Sequence, residues 1–241
     1  MSTGPADDVV VVGGGAIGLA IAWKAQAAGL RTSVVDDAPG RGASWAAAGM
    51  LAPVTEAHYG EEALLRLCLA SAERYGGFAR ELEELAGTDV GYRRTGTLSV
   101  ARDRDDQEAL DELFDYRRGL GLECERLRGR ECRRLEPALA PGIRGGVLVS
   151  GDHQVDNRAL VTALLRACDR AGVRLLRERA VELLVERDRV TGVRLRRDTL
   201  ACPTVVLAGG AWSAQLSGLP AASAPPVRPV KGQLLHLRGA A

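Results

Sequence analysis

The chain has 241 residues, of which 46% are hydrophobic and 26% charged, the balance of a globular protein rather than a disordered or fibrous one. Lys+Arg 32 against Asp+Glu 31 leaves a net charge of +1, which gives no basis for a nucleic-acid or polyanion partner. The five cysteines (Cys68, Cys124, Cys132, Cys168, Cys202) are scattered and form no Cys-x-x-Cys pair, so free thiols of a reducing compartment are expected rather than a disulfide framework or a metal site.

Val9 to Trp23 is uncharged and mostly apolar. Asp7 and Asp8 stand where a signal peptide carries basic residues, and the run is shorter than the ~18 residues of a membrane helix. A cytoplasmic protein that does not enter the membrane is expected.

Val9 to Val12 is a β-branched run of the kind buried on both faces of a parallel sheet. Gly13-Gly14-Gly15-Ala16-Ile17-Gly18 follows, then an alanine-rich helix from Leu19 to Ala28 stopped by Gly29, then a second strand from Arg31 to Val35 that ends on Asp36. Together they make a βαβ unit. Gly40 to Pro53 is rich in small residues. A long amphipathic helix is read from Leu64, Leu67, Cys68, Tyr75, Phe78, Leu82 and Leu85.

Beyond Gly87 the chain is more charged, with a short strand at Thr97 to Val100 and a helix around Leu110, Leu113 and Phe114. The acidic run Asp103 to Glu108 reads as a solvated loop and helix start. A further amphipathic helix spans Asn157 to Ala171, and Asp152, His153 and Asp156 before it read as a loop and N-cap. Strands are expected at Val173 to Leu176, Val181 to Val185, Val193 to Leu195 and Thr204 to Ala208. The last is closed by Gly209-Gly210, and a linker at Ala221 to Pro226 leads to a strand from Val230 to Leu237.

Gly13, Gly15 and Gly18 form G-x-G-x-x-G between a strand and a helix. The first glycine permits a tight turn, the second lets a pyrophosphate approach, and the third lets helix and strand pack closely. Asp36, at the end of the second strand, suits ribose hydroxyls and disfavours a 2′-phosphate. A glycine-rich turn with an incidental acid is the alternative, and the motif alone does not separate NAD from FAD. Ser44 to Leu51, S-W-A-A-A-G-M-L, admits two readings: backbone N–H groups approaching a flat ring, or a tightly packed alanine helix. Ser44 and Ser213 lack the G-x-S-x-G surroundings of a nucleophile. His58, His153 and His236 are too far apart for a local metal motif, and no metal ligand is expected.

The combination V-V-G-G-G-A-I-G, V-V-D-D, A-A-A-G-M-L, T-V-V-L-A-G-G-A-W-S (Thr204 to Ser213) and P-V-K-G-Q-L (Pro229 to Leu234) resembles the D-amino acid oxidase superfamily of flavoproteins, and within it the glycine oxidases of bacterial thiamine biosynthesis. The resemblance implies an α/β fold, a Rossmann-type FAD-binding domain of the GR2/DAO-like kind with a smaller α+β substrate domain. The FAD domain would hold 1–87 and 147–222, the substrate domain 88–146 and 223–241. Carried over by motif, Ala16 and Ile17 sit at the FAD pyrophosphate between Gly13, Gly15 and Gly18, and Asp36 and Asp37 at the ribose. Ala43 and Ser44 continue along the cofactor, and Ala48, Gly49 and Met50 lie against the isoalloxazine. Val181 meets adenine through its backbone, and Gly209 with Gly210 forms a later turn of the site. Trp45 stands where the resemblance has a small or hydroxyl residue.

The implied reaction is oxidative deamination of glycine or a small amine to the oxo-acid, ammonia and hydrogen peroxide. The implied partners are a small amino acid and oxygen; the sequence leaves a homo-oligomer open. The family's substrate-binding arginine has no match by motif, the C-terminal part of the fold is expected to be missing, and no catalytic side chain is assigned. Two rivals remain: a D-amino acid dehydrogenase or sarcosine oxidase-like enzyme, and a non-catalytic, truncated FAD-binding fragment.

Overall fold

A computed structural model describes residues 6–235. In chain order the first elements are β1 (Val9–Val12), α1 (Ala16–Ala27), β2 (Thr32–Val35), α2 (Ala43–Ala46), β3 (Met50–Leu51) and α3 (Glu62–Ala86). Next come β4 (Thr97–Ala101), α4 (Arg104–Gly119), β5 (Glu125–Arg128), α5 (Gly129–Leu135), β6 (Gly145–Val149), β7 (His153–Gln154) and α6 (Asn157–Ala171). The remaining strands are β8 (Arg174–Leu176), β9 (Ala180–Glu186), β10 (Arg189–Leu195), β11 (Thr199–Ala201) and β12 (Val205–Leu207). Short 3-10 turns follow at Gly210–Gln215 and Ala221–Ser223.

The chain divides into two compact units. Unit 1 takes the residues up to Ala48, Glu81–Val90, and those from Asn157 on; unit 2 takes Gly49–Arg80 and Gly91–Asp156. The bounds expected from the sequence, 1–87 with 147–222 and 88–146 with 223–241, cut this division differently. Strand β6 pairs with β4 and β5 along its length, and it stays with them in unit 2.

Unit 1 is built on a parallel sheet in the order β12-β1-β2-β8. β1 lies between β12 and β2, with Val11 opposite Val206 on one side and Val34 on the other. A strand paired on both sides and covered on both faces must be apolar throughout, and Val9, Val10, Val11 and Val12 are all buried. Helix α1 packs on α6 and buries Leu19, Ala22 and Trp23. Beneath the sheet an antiparallel sheet, β11-β10-β9, contributes Val193, Leu195, Leu200 and Cys202 to one core with Val10, Val12 and Val35. The turn between β9 and β10 places Arg187 and Asp188 at φ 50 and 59, a paired left-handed geometry suited to a tight hairpin.

Unit 2 has an antiparallel sheet, β4-β6-β5. Val147 and Val149 of β6 pack with Ala101, Leu110 and Val54. Asp103 caps α4 by accepting the Asp106 N–H at 2.9 Å, so the acidic run is a helix start, with Asp105 and Asp106 in its first turn. β3 and β7 form a small ladder, Met50 opposite Gln154 and Leu51 opposite His153.

Two expectations are corrected. His153, expected in a loop, lies in β7; Asp152 is in the loop as expected, but it is fully buried and accepts the N–H groups of Val54 at 3.2 Å and Thr55 at 2.6 Å. The strand expected at Val230 to Leu237 is absent from Val230 to Leu235, since no strand pairs there among the described residues; its last two positions, with His236, lie outside them. The linker at Ala221 to Pro226 begins with a 3-10 turn.

Candidate functional site

The turn after β1 is shaped by backbone contacts. Gly13 has φ +114, and a Cβ there would stand 2.3 Å from the Ala208 carbonyl oxygen beyond β12. A Cβ on Gly18 would meet the Gly13 carbonyl oxygen at 1.9 Å. These two glycines let strand, turn and helix close on one another. Gly15 differs: a Cβ there would meet only Ser44 Oγ, at 3.0 Å.

Gly15 is the N-cap of α1 and brings no capping side chain, and the first turn carries no acid. Ser44 Oγ accepts the Ala16 N–H at 2.9 Å, while Ile17 beside it is 72% exposed. The helix thus presents an open, partly positive terminus next to a glycine whose missing side chain leaves room, the arrangement that takes a pyrophosphate. Asp36 crosses from the end of β2 to the same turn. One carboxylate oxygen accepts the Gly14 N–H and the other the Ala38 N–H, both at 2.7 Å. Each oxygen keeps a lone pair for a further donor.

Within unit 1 a cleft of about 590 Å³ opens at the C-terminal ends of β1, β2 and β12, where open α/β sheets take ligands. It is lined by Gly13, Asp36, Asp37, Val181 and Gly209 among the expected residues, and also by Val12, Val35, Glu178, Arg179, Ala180, Leu207, Trp212, Gln215 and Leu216. Of the second group, Val12, Val35, Leu207 and Trp212 fall within the motifs that carry the resemblance, whereas Glu178, Arg179, Ala180, Gln215 and Leu216 carry no signal in the sequence.

The other expected residues lie outside the cleft lining. Gly15, Ala16, Ile17 and Gly18 form the α1 terminus just described. Ala43 and Ser44 belong to α2, whose tip is held by Asn157: its Nδ2 donates to the carbonyls of Ser44 at 2.9 Å and Trp45 at 2.8 Å. The Trp45 ring faces the guanidinium groups of Arg41 at 4.6 Å and Arg158 at 5.3 Å, which accommodates a large aromatic residue there. Of the two readings of the alanine stretch, the helix covers only its start: α2 ends at Ala46, and Ala47 to Gly49 are irregular. Ala48 is exposed. Gly49 has φ 82 and accepts the Val155 N–H at 2.8 Å, and Met50, in β3, is 61% exposed.

Unit 2 has a second polar arrangement. Arg117, 2% exposed, donates through Nη2 to the Thr55 carbonyl, while its Nε and Nη1 are buried without partners among the described residues. Burial lowers its pKa, and the charge of Asp152 acts in the opposite sense. Among the described residues no group of three or more His, Cys, Asp or Glu side chains could hold a metal, and no helix is long and apolar enough to cross a membrane.

A parallel sheet, a glycine turn opening a helix and an acid closing the next strand define a Rossmann-type nucleotide-binding unit. The chain belongs to the FAD dependent oxidoreductase (DAO) family, whose sequence model matches residues 8–241. It is 36% identical over 235 residues to the bifunctional protein ThiO/ThiG of Synechocystis sp., covering 96% of this chain and 33% of that protein. It is 33% identical over 235 residues to a glycine oxidase of Geobacillus kaustophilus, covering 96% of this chain and 61% of that one. The crystal structure of glycine oxidase from Geobacillus kaustophilus matches the fold with a TM-score of 0.81 at 32% identity, over 87% of this chain and 57% of that one. The chain thus spans less than two thirds of the length of these relatives. FAD is the cofactor of the family, and the residues of unit 1 fit its adenosine and pyrophosphate parts: a helix terminus with one N–H held by Ser44 and no acid in its first turn, a glycine where a Cβ would intrude, and carboxylates along the cleft.

Proposed function

We propose that the protein is an FAD-dependent amine oxidase that converts glycine, or another small amino acid or amine, to the oxo-acid, ammonia and hydrogen peroxide in thiamine biosynthesis. One observation carries the reading: Gly13, Asp36, Asp37, Val181 and Gly209, distant in sequence, line one cleft of unit 1 in a chain 33% identical to a glycine oxidase. Similarity to a ThiO/ThiG protein supports the pathway. A cytoplasmic location belongs to the same proposal, and five free cysteines suit it.

Bound FAD supplies a hydride acceptor for the C–H bond next to the amine and a route for the electrons to oxygen. The chain's own residues bind and orient. In this reading the N–H groups at the start of α1 hold the pyrophosphate, with Gly15 leaving space for it. Asp36 accepts ribose hydroxyls on lone pairs its backbone donors leave free, and the Val181 backbone meets the base. Ala43 and Ser44 continue along the cofactor, and Ala48, Gly49 and Met50 carry the isoalloxazine. No side chain of the chain is assigned to proton transfer, because a neutral amine needs none to release hydride.

The test is to incubate the purified protein with glycine in oxygenated buffer and assay glyoxylate and peroxide. Both products forming together support the reading. Glycine turnover only with an artificial electron acceptor contradicts the oxidase and favours a dehydrogenase.

A further inference from the structure

Met50, exposed on the two-residue strand β3, has little packing of its own to fix its position. Its place is set by the chain on either side of it. On one side the Gly49 carbonyl accepts the Val155 N–H at 2.8 Å. On the other the Asp152 carboxylate, just before β7, accepts the N–H groups of Val54 at 3.2 Å and Thr55 at 2.6 Å. Residues 49–55 are thus tied to residues 152–155 at both ends, with Met50 opposite Gln154 between the ties. The first tie is backbone alone. The second rests on one fully buried side chain. Val54 also packs in the unit 2 core, which fixes how deep the segment sits. Two donors converging on one carboxylate fix its direction and its slide along β7 as well, because a buried polar group with its bonds made is rigid.

We propose that Asp152 is a positioning residue for the reaction: by holding Val54 and Thr55 it sets where β3 presents Met50 to the isoalloxazine. This rests on the reading of Met50 as an isoalloxazine contact. Asp152 itself touches no reacting atom and acts through the β3 segment. A neutral side chain of the same size keeps the segment folded but loosens it, and a misplacement of about 1 Å can cost about a hundredfold in rate.

The test compares the full wild-type chain with Asp152→Asn, which sets an amide N–H against one of the two backbone donors, and with Val147→Ala, which weakens the same core without touching the carboxylate. Both variants should bind ADP as wild type does in titration calorimetry, because the adenosine and pyrophosphate parts belong to unit 1. In Asp152→Asn the visible absorption and fluorescence of bound FAD should shift, and kcat for glycine should fall about tenfold or more with little change in KM. In Val147→Ala the urea midpoint should fall while flavin spectrum and kcat stay at wild-type values. Should Asp152→Asn not fold, Asp152→Glu, which carries the same two oxygens one methylene further out, should fold and shift the spectrum. An unshifted spectrum in the folded Asp152 variant overturns the proposal and leaves the FAD reading standing. An equal shift in Val147→Ala overturns it too, as does a chain that folds with neither Asp152 substitution. A wild-type chain that takes up no FAD overturns the FAD reading and the proposal with it. One whose bound flavin absorbs and fluoresces as free FAD does overturns the placement of Met50 and, again, the proposal.

Discussion

Asp36 accepts the Gly14 N–H at 2.7 Å, so the acid at the end of β2 fastens the glycine turn at the end of β1. Its other oxygen accepts the Ala38 N–H at 2.7 Å, holding its own loop as well. The side chain that the motif assigns to ribose is therefore also a clasp between neighbouring strands.

Asp36→Ala removes both charge-assisted bonds. A loss of about 2 kcal/mol is expected, together with weaker retention of flavin. Urea unfolding and flavin content of the purified variant measure the two effects. A variant as stable as wild type would show that the clasp contributes nothing.

Gly18→Ala and Gly15→Ala should differ in kind. The first sets a Cβ against the Gly13 carbonyl at 1.9 Å, where only backbone could yield, and a cost of about 3 kcal/mol or a failure to fold is expected. The second meets only Ser44 Oγ at 3.0 Å. Stability should change by less than about 1 kcal/mol, while FAD affinity falls because a methyl group enters the approach of the pyrophosphate. Thermal melts and FAD titration of both variants test the contrast; the opposite ordering contradicts it.

Asp152 and Arg117 divide into a needed and a dispensable charge. Asp152→Ala leaves the Val54 and Thr55 N–H groups without their acceptor, at an expected cost of about 2–4 kcal/mol. Arg117→Met fills similar volume and removes a buried cation whose Nε and Nη1 have no partner among the described residues, but it also ends the bond to the Thr55 carbonyl, so it should cost no more than about 1–2 kcal/mol. Denaturant midpoints of the two variants decide the matter.

Buried thiols set the alkaline limit. Burial pushes Cys168 up to about 12 and Cys202 up to about 11, from an ordinary 9.0. Above the ordinary thiol value the unfolded chain releases these protons while the folded chain keeps them. Stability from both groups is therefore full below about pH 9 and is lost as pH rises toward their folded values. Urea midpoints across this range should fall, and Cys168→Ala should flatten the decline. In the native protein the partly exposed Cys68 and Cys124 should alkylate before the buried Cys132, Cys168 and Cys202; mass spectrometry of modified peptides reads the order.

The parts legible in the sequence are those with local causes. The valine run of β1, the G-x-G-x-x-G turn and the apolar face of α6 at Leu160, Val161, Leu164 and Cys168 each carry their own periodicity or steric demand, and they fall where expected. β5 and β6 carry little signal of their own, because Glu125–Arg128 and Gly145–Val149 owe their extended form to pairing with strands remote in sequence, and Thr199–Ala201 is a three-residue strand held by β10 across a short turn. The buried Asp152 resembles any loop acid until its partners at Val54 and Thr55 are brought to it.

The most direct test of the central claim is the flavin content of the purified protein. Heat release and chromatography should yield FAD and no FMN, in stoichiometric amount, with Gly15→Ala protein folded but depleted of it. A folded wild-type chain that is colourless and takes up no added FAD would contradict the claim.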